Sequence, residues 1–128
     1  MKHKILIVED NEPIRENTTE LLELYQYDVM SACNGKEGLN IALLYKPDLI
    51  LCDIMMPVMS GYHLLELVRN EPLLKDCRFI FFTASAEKNE IETGYKLGAH
   101  DYIIKPFSGD ELLSKLKKQL DEKGIPSS

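Results

Sequence analysis

The chain has 128 residues, of which 45% are hydrophobic and 28% are charged, so its size and composition predict one globular domain rather than a disordered or fibrous protein. Its net charge of -6 at pH 7 disfavours nucleic acid and anionic membrane as direct partners, because both are negatively charged and repel it. A protein partner is expected instead.

Five segments have the composition of β-strands. Residues 5–8 (ILIV), 48–52 (DLILC) and 79–83 (FIFFT) are apolar runs, typical of strands that helices cover on both faces of a parallel sheet. Residues 28–32 (DVMSA) and 101–104 (DYII) are more polar or shorter. We predict that these two segments form the edge strands of the sheet.

The segment after the first strand has the spacing of a core-facing helix. Its apolar stripe consists of Ile14, Thr18, Leu21, Leu22 and Tyr25. Asn11 is suited to be the N-cap of this helix, and Pro13 suits its first turn because proline needs no backbone donor there.

Three of the later helical segments also have an apolar stripe. The stripes are Leu39, Ala42 and Leu43; Leu64, Leu65 and Val68; and Leu112, Leu113, Leu116 and Leu120. Ser108 is the predicted N-cap of the last helix. Residues 87–97 have fewer apolar positions, and Gly94 weakens helix formation there. We expect this fourth helix to be exposed and comparatively mobile.

Alternation of five strands with five helices predicts an α/β fold, a doubly wound parallel sheet with helices on both faces. We assign residues 1–122 to this domain. Residues 123–128 (KGIPSS) lose the helical pattern, so they are interpreted as a C-terminal tail or a truncated linker.

The cysteines and the N-terminus indicate a cytoplasmic protein. Cys33, Cys52 and Cys77 are odd in number and lack CxxC spacing, which favours reduced thiols. The apolar run after Lys4 is too short for a signal peptide, and no run approaches membrane-spanning length. The three histidines are too scattered for a metal cluster, and we expect them to be solvated surface residues.

Polar residues follow the ends of the predicted strands, where open α/β sheets bind their ligands. These residues are Glu9 and Asp10 after the first strand, Asp53 after the third, Thr83 at the end of the fourth and Lys105 after the fifth. Each alone also suits an ordinary strand end or helix start. If the first and third strands are neighbours, however, the three carboxylates converge.

Three adjacent carboxylates repel one another unless a cation offsets their charge. Mg²⁺ fits such a site because it prefers oxygen ligands, and Lys105 adds a further positive charge. Asp53 could then attack phosphorus and form an acyl phosphate, with Thr83 donating a hydrogen bond.

The same residues stand in blocks that resemble the signature of a response-regulator receiver domain of two-component signalling, of the chemotaxis-regulator type. The blocks are residues 8–11 (VEDN), 53–61 (DIMMPVMSG), 83–84 (TA), 94–102 (GYKLGAHDY) and 105–107 (KPF). Their order and spacing agree with the family over nearly the whole chain. The resemblance implies a flavodoxin-like sheet with strand order 2-1-3-4-5.

The resemblance assigns roles to individual residues. Asp53 would be the phosphoacceptor, and Thr83 and Lys105 would contact the phosphoryl group. The Mg²⁺ ligands would be Glu9, Asp10, Asp53 and the Met55 carbonyl. The phosphodonor would be a sensor histidine kinase or a histidine phosphotransfer protein, and the domain would catalyse only its own phosphorylation and dephosphorylation. Met55 and Ser85 occupy the positions that tune dephosphorylation.

A conformational switch is also implied. In relatives the threonine moves toward the phosphoryl group, and the aromatic residue three before the lysine, here Tyr102, turns inward. The surface of helix four, strand five and helix five would change and control a downstream protein or output domain, with dimerisation as a further outcome.

The Lys105–Pro106 bond would be cis. Gly61 and Pro57 would shape the loop after Asp53 through free and fixed φ, respectively.

Three alternatives stay open. A nucleotide or flavin module would need a phosphate-cradling loop after strand one, where Glu9 and Asp10 would repel phosphate. A hydrolase of the aspartyl-phosphate type would ordinarily need a second acid where Met55 stands. A binding scaffold without phosphorylation is disfavoured because all the chemical positions are filled. The departures from the family, Cys52, Tyr62 and His100, touch none of the chemistry.

Overall fold

The computed structural model describes residues 2–84 and 87–122, which form a five-stranded parallel sheet flanked by five α-helices. The strands are β1 Lys4–Val8, β2 Asp28–Ala32, β3 Leu49–Cys52, β4 Arg78–Thr83 and β5 Asp101–Ile104. The helices are α1 Glu12–Leu24, α2 Gly35–Tyr45, α3 Gly61–Arg69, α4 Lys88–Leu97 and α5 Gly109–Glu122. The predicted tail, residues 123–128, lies outside the described residues.

The strand order is β2-β1-β3-β4-β5, and every neighbouring pair is parallel. The predicted doubly wound sheet, its strand order and its two edge strands are therefore confirmed. Val8 at the end of β1 pairs with Ala32 on one side and with Cys52 on the other. The strand order reverses at this point, which opens a crevice beyond the carboxyl ends of β1 and β3.

Alternate residues of the strands form two cores, because successive side chains of a strand point to opposite faces. One core joins Leu6, Val8, Ile50, Phe79 and Phe81 of the sheet to side chains of α2, α3 and α4. The other joins Ile5, Ile7, Leu51, Ile80 and Phe82 to α1 and α5. The sheet is thus covered on both faces, which explains its nearly uninterrupted apolar strands.

Most helices begin at a side-chain cap. The Asn11 side chain accepts a hydrogen bond from the Ile14 amide, and Ser108 accepts one from Glu111, so both predicted N-caps are confirmed. Asn34 and Ser60 cap α2 and α3 in the same way. By contrast, the N-cap residue of α4, Glu87, makes no side-chain capping bond. The first turn of α4 therefore depends more on its neighbours.

The predicted stripe of α1 is wrong at its last position. Tyr25 is the C-cap residue after the helix ends at Leu24, and it is 59% exposed. Because helical periodicity no longer applies beyond the last turn, Tyr25 does not follow Thr18 and Leu22 into the core.

The prediction of solvated histidines holds only for His63, which is exposed. His3 is buried and stacks on Tyr27. His100 is half-buried: its Nδ1 accepts a hydrogen bond from the Phe79 amide, and its own amide donates to the Phe79 carbonyl. His100 thus continues the pairing of β4 and β5 with its side chain, a role that its position in the sequence does not reveal.

Cys33, Cys52 and Cys77 are all free cysteines, as predicted, and only Cys33 among them is exposed. Within residues 2–84 and 87–122, no helix has the length and apolar character needed to cross a membrane.

Candidate functional site

The register of β1 and β3 brings Glu9 and Asp53 together. Val8 and Cys52 are paired at the ends of these strands, and the Asp53 amide continues the ladder by donating to the Val8 carbonyl at 3.0 Å. Glu9 is fully buried and Asp53 is only 7% exposed. The predicted adjacency of the two strands is therefore correct, and it places both carboxyl groups at the crevice.

Asp10 completes a cluster of three acids. One carboxylate oxygen each from Glu9, Asp10 and Asp53 lies within 4.8 Å of the other two. Asp10 is exposed, whereas Glu9 and Asp53 are buried, so the cluster has one side open to solvent. It lies just before Asn11, which begins α1.

Lys105, which follows the edge strand β5, supplies the opposite charge. Its Nζ forms an ion pair with Glu9 Oε1 and lies 3.2 Å from Asp53 Oδ2. The Lys105 amide donates to the Thr83 carbonyl, and Nζ also lies 4.8 Å from the centre of the Phe82 ring. The Lys105–Pro106 peptide bond is cis, as the resemblance implied.

The electrostatics of the site favour a bound cation. Burial, together with a hydrogen bond to Asp53, raises the pKa of Glu9 above its ordinary value, and Lys105 opposes this rise. Burial and the neighbouring Asp53 thus both disfavour the charged form of Glu9, which a further positive charge would favour. Three closely spaced carboxylate oxygens that are partly open to water fit Mg²⁺, which takes oxygen ligands and retains several waters.

Thr83 lies at the carboxyl end of β4, and Met55 lies in the loop that follows β3. Thr83 is the last residue of β4 and is 2% exposed. Met55 lies two residues beyond Asp53, and its side chain is 76% exposed. The second position assigned to dephosphorylation, Ser85, lies outside the described residues.

The loop between β3 and α3 requires glycine at position 61 for a different physical reason than the sequence predicted. Gly61 does not have a positive φ, so its φ freedom is not what the loop requires. A β-carbon at Gly61 would instead overlap the Asp53 carbonyl oxygen and lie 2.9 Å from Ile54 Cα. The positive φ in this loop belongs to Val58, at 72°, beside a short hydrogen bond from the Met59 amide to the Pro57 carbonyl.

Tyr102, the predicted switch residue, is 4% exposed and points inward. Its hydroxyl donates to the Glu90 carbonyl of α4 at 3.1 Å, and the Tyr62 hydroxyl donates to the same carbonyl at 3.0 Å. Sequence reasoning treated Tyr62 only as a departure from the family. Its contact could not be read from helical spacing, because it joins α3 to α4.

Arg15 is a second residue that sequence reasoning missed. One of its guanidinium nitrogens donates to the Glu9 carbonyl at 2.9 Å. This bond ties the first turn of α1 to the start of the acidic cluster. The available signal was weak, because an arginine on an exposed helix face is ordinarily solvated.

An apolar groove of about 630 Å³ lies beside the acidic cluster. Its lining includes Ile14 and Leu21 of α1 and Lys105, Pro106 and Phe107 after β5. Lys105 lines the groove and also pairs with Glu9 and Asp53, so the groove opens beside the acidic cluster.

Comparison with known proteins agrees with this geometry. The family model of the response regulator receiver domain matches residues 5–117. The receiver domain protein of Methanospirillum hungatei, described as CheY-like, superposes with a TM-score of 0.91 at 34% identity and covers 97% of this chain and 98% of its own.

Two curated relatives are similar in sequence. The phosphate regulon transcriptional regulatory protein PhoB of Pseudomonas aeruginosa is 40% identical over 94% of this chain and 52% of its own length. The probable transcriptional regulator ycf27 of Cyanidium caldarium is 40% identical over 93% of this chain and 47% of its own length. The chain thus spans about half the length of these relatives. Its strand order, its acidic crevice and these matches together show that it belongs to the response regulator receiver domain family of two-component signalling.

Proposed function

We propose that the chain is a phosphorylation-driven switch that accepts a phosphoryl group on Asp53. The observation that carries the proposal is the buried Asp53 carboxylate, which has Lys105 Nζ at 3.2 Å and two further carboxylates within 4.8 Å. Such an arrangement offers a nucleophile, a fixed positive charge and a set of oxygen ligands at one point.

In the proposed reaction, an Asp53 oxygen forms a bond to phosphorus while the bond from phosphorus to the imidazole nitrogen of a phosphohistidine donor breaks. The imidazole nitrogen retains the electron pair of the broken bond. Lys105 offsets charge on the phosphoryl oxygens, and the Thr83 hydroxyl donates a hydrogen bond to one of them. Mg²⁺, held by Glu9, Asp10, Asp53 and the Met55 carbonyl, would supply further positive charge to the phosphoryl oxygens.

The donor would be a sensor histidine kinase or a histidine phosphotransfer protein. The apolar groove lined by Ile14, Leu21 and Phe107 supports this role, because it offers a protein donor a contact surface next to Asp53. Water would later attack the acyl phosphate and return Asp53 to its free form, so the domain acts only on its own phosphoryl group.

The signal would be transmitted to a binding partner through the surface formed by α4, β5 and α5. Phosphorylation would draw Thr83 toward the phosphoryl group, and Tyr102 would occupy its inward position on the adjacent strand. The changed surface would then bind a downstream protein, an output domain or a second receiver. The exposed α4, in which Gly94 is the buried residue among those described, suits such a surface.

Beryllofluoride with Mg²⁺ tests the proposal, because it mimics a phosphoryl group on a carboxylate. We expect the wild-type protein to give a bound ¹⁹F NMR signal that requires Mg²⁺, and acetyl phosphate to add one phosphoryl group to the protein in a mass spectrum. Asp53→Asn should abolish both signals, whereas Asp76→Asn, an exposed acid on a loop before β4, should retain both. A wild-type protein without an Asp53-dependent adduct would refute the proposed function.

A further inference from the structure

Two tyrosine hydroxyls share one acceptor in this fold. Tyr62, in the first turn of α3, and Tyr102, in β5, both donate to the backbone carbonyl of Glu90, at 3.0 and 3.1 Å. Glu90 lies in the first turn of α4. The two side chains therefore connect α3 and β5 to the same point of α4.

The Tyr102 ring occupies a socket built from three neighbours. Its centre lies 5.4 Å from that of Phe81 and 5.3 Å from that of Tyr95, distances at which aromatic pairs attract each other. The third neighbour is Gly94, because a β-carbon there would overlap the Tyr102 hydroxyl oxygen and lie 2.8 Å from Tyr102 Cζ. The absence of a side chain at residue 94 thus makes room for the inward tyrosine.

Among the described residues, the start of α4 has no side-chain cap, and Ile91 of its first turn packs against the core only partly buried. The N-cap residue, Glu87, makes no side-chain capping bond, and Gly94 is the one residue of the helix that is buried among those described. Tyr62 reaches α4 at its beginning, and Arg69 of α3 donates to the carbonyl of Gly98 at its end. Tyr62 is therefore placed to fix the turn that carries the Tyr102 acceptor.

Both hydroxyls remain donors at neutral pH. Burial raises the pKa of Tyr102 above its ordinary value, and the charge of neighbouring Tyr62 and a hydrogen bond with it raise this pKa further. Burial also raises the pKa of Tyr62, an effect that the hydrogen bond with Tyr102 opposes in part. Each phenol thus keeps its proton. The Tyr62 ring is itself held edge-on against Phe81, with ring centres 5.4 Å apart, so its hydroxyl is directed by packing.

We propose that Tyr62 is a positioning residue for Tyr102. Its hydroxyl holds the Glu90 carbonyl to α3 and thereby stabilises the inward position of the Tyr102 ring, which lies in the space left by the missing side chain of Gly94. The coupling of this position to Asp53 rests on the proposed function. Removal of the Tyr62 hydroxyl leaves the ring in place but frees the first turn of α4 to move, which makes the inward position of Tyr102 less favourable.

The first experiment measures the position of Tyr102 without phosphorylation. Protein labelled with 3-fluorotyrosine gives a ¹⁹F resonance for Tyr102 that is assigned by its loss in Tyr102→Phe, and its shift between H₂O and D₂O reports solvent exposure. We expect Tyr62→Phe to increase this exposure. Tyr95→Phe is the matched control, because it removes a hydroxyl from the same aromatic cluster without removing a Glu90 bond, and it should leave the exposure unchanged.

The second experiment measures the coupling to Asp53. Because only part of the strength of one hydrogen bond differs between the two positions of Tyr102, Tyr62→Phe should weaken beryllofluoride binding about two- to fivefold. The same substitution made in a Tyr102→Phe background should have a smaller effect, because residues that act through one another are not additive.

Gly94→Ala provides an independent test from the opposite side of the socket. The added methyl group should displace the Tyr102 hydroxyl, while alanine is a better helix former than glycine. We expect high solvent exposure of Tyr102 and beryllofluoride binding weakened at least as much as in Tyr62→Phe, without loss of the folded state.

The outcomes separate the two proposals. If wild-type protein binds beryllofluoride at Asp53 but Tyr62→Phe matches Tyr95→Phe in Tyr102 exposure and in affinity, the positioning role is overturned and the phosphorylation switch stands. If wild-type protein forms no adduct, the proposed function fails, while the exposure of Tyr102 in Tyr62→Phe still decides whether Tyr62 positions that ring.

Discussion

At the scale of single residues, Val58 is in a conformation that its side chain disfavours. Its φ of 72° lies in the left-handed region, where a β-branched residue is strained, and 77% of its side chain is exposed. The neighbouring bond from the Met59 amide to the Pro57 carbonyl marks a tight three-residue turn. Little burial therefore offsets the strain.

We expect Val58→Asn to raise the free energy of unfolding by about 1 kcal/mol, because asparagine tolerates positive φ at little cost. Urea denaturation at pH 7 measures the change. Val58→Thr separates strain from polarity, since threonine is polar but keeps the branched β-carbon. An equal gain in both variants would show that backbone strain at Val58 is not the cause.

His100 gives the protein a specific pH dependence. Burial, followed by the charges of Arg69 and Arg78, lowers the pKa of His100 from 6.5 to about 4. As the pH falls below 6.5 the unfolded chain takes up the proton before the folded chain does, so stability decreases until about pH 4 and the effect levels off below it.

The expected loss is about 1–2 kcal/mol across this window, after allowance for solvent screening of a half-buried ring. His100→Asn keeps an acceptor for the Phe79 amide but does not titrate. Urea denaturation of both proteins at a series of pH values gives the difference that belongs to His100. Parallel stability curves for the two proteins would contradict the assignment.

At the scale of elements, the loop between β3 and α3 brings the start of α3 directly against Asp53, the proposed phosphoacceptor. Gly61 Cα lies so close to the Asp53 carbonyl that a β-carbon has no room, and it would also lie 2.9 Å from Ile54 Cα and Phe81 Cε1. Because two of these obstacles are backbone atoms, they cannot rotate away.

Gly61→Ala should therefore lower the free energy of unfolding by about 2–3 kcal/mol, as overpacking against backbone does. Gly109→Ala is the matched control, since its β-carbon would meet only Leu21 at an ordinary distance of 3.4 Å. Thermal or urea denaturation distinguishes the two variants. Comparable stability of both would mean that α3 shifts freely, in conflict with the close packing at Asp53.

Helix α4 shows how far local patterns predict an element. The sequence indicated a weak, exposed helix with a disfavoured glycine at position 94, and the structure has α4 with Gly94 buried in it. The reason for glycine is a tertiary one, because Tyr102 of β5 occupies the space that a side chain would need. The glycine that weakens α4 is thus needed for the packing of Tyr102 from β5.

At the scale of the whole molecule, three acidic residues lie together at the carboxyl ends of the neighbouring strands β1 and β3. Folding brings Glu9, Asp10 and Asp53 within 4.8 Å of one another, and their mutual repulsion is a cost that only the folded state bears. A divalent cation that binds this cluster should therefore stabilise the fold through mass action.

We expect Mg²⁺ at ten times its dissociation constant to raise the free energy of unfolding by about 1.4 kcal/mol. Asp10→Asn should greatly reduce this increment, because it removes one carboxylate of the cluster. Asp76→Asn removes an exposed acid elsewhere and should leave it intact. Differential scanning calorimetry with and without Mg²⁺ checks the prediction. The same increment in wild-type protein and Asp10→Asn would place the ion at another site.

The sequence by itself determined the fold class, the edge strands, the caps at Asn11 and Ser108 and the family, because these depend on local periodicity, capping chemistry and motif spacing. It also named Asp53 and Lys105, whose 3.2 Å contact required the folded sheet. Only the tertiary structure decided the burial of His3 and His100, the packing reason for Gly61 and the shared acceptor of Tyr62 and Tyr102. These features join residues that are distant along the chain, and no local pattern records which of them meet.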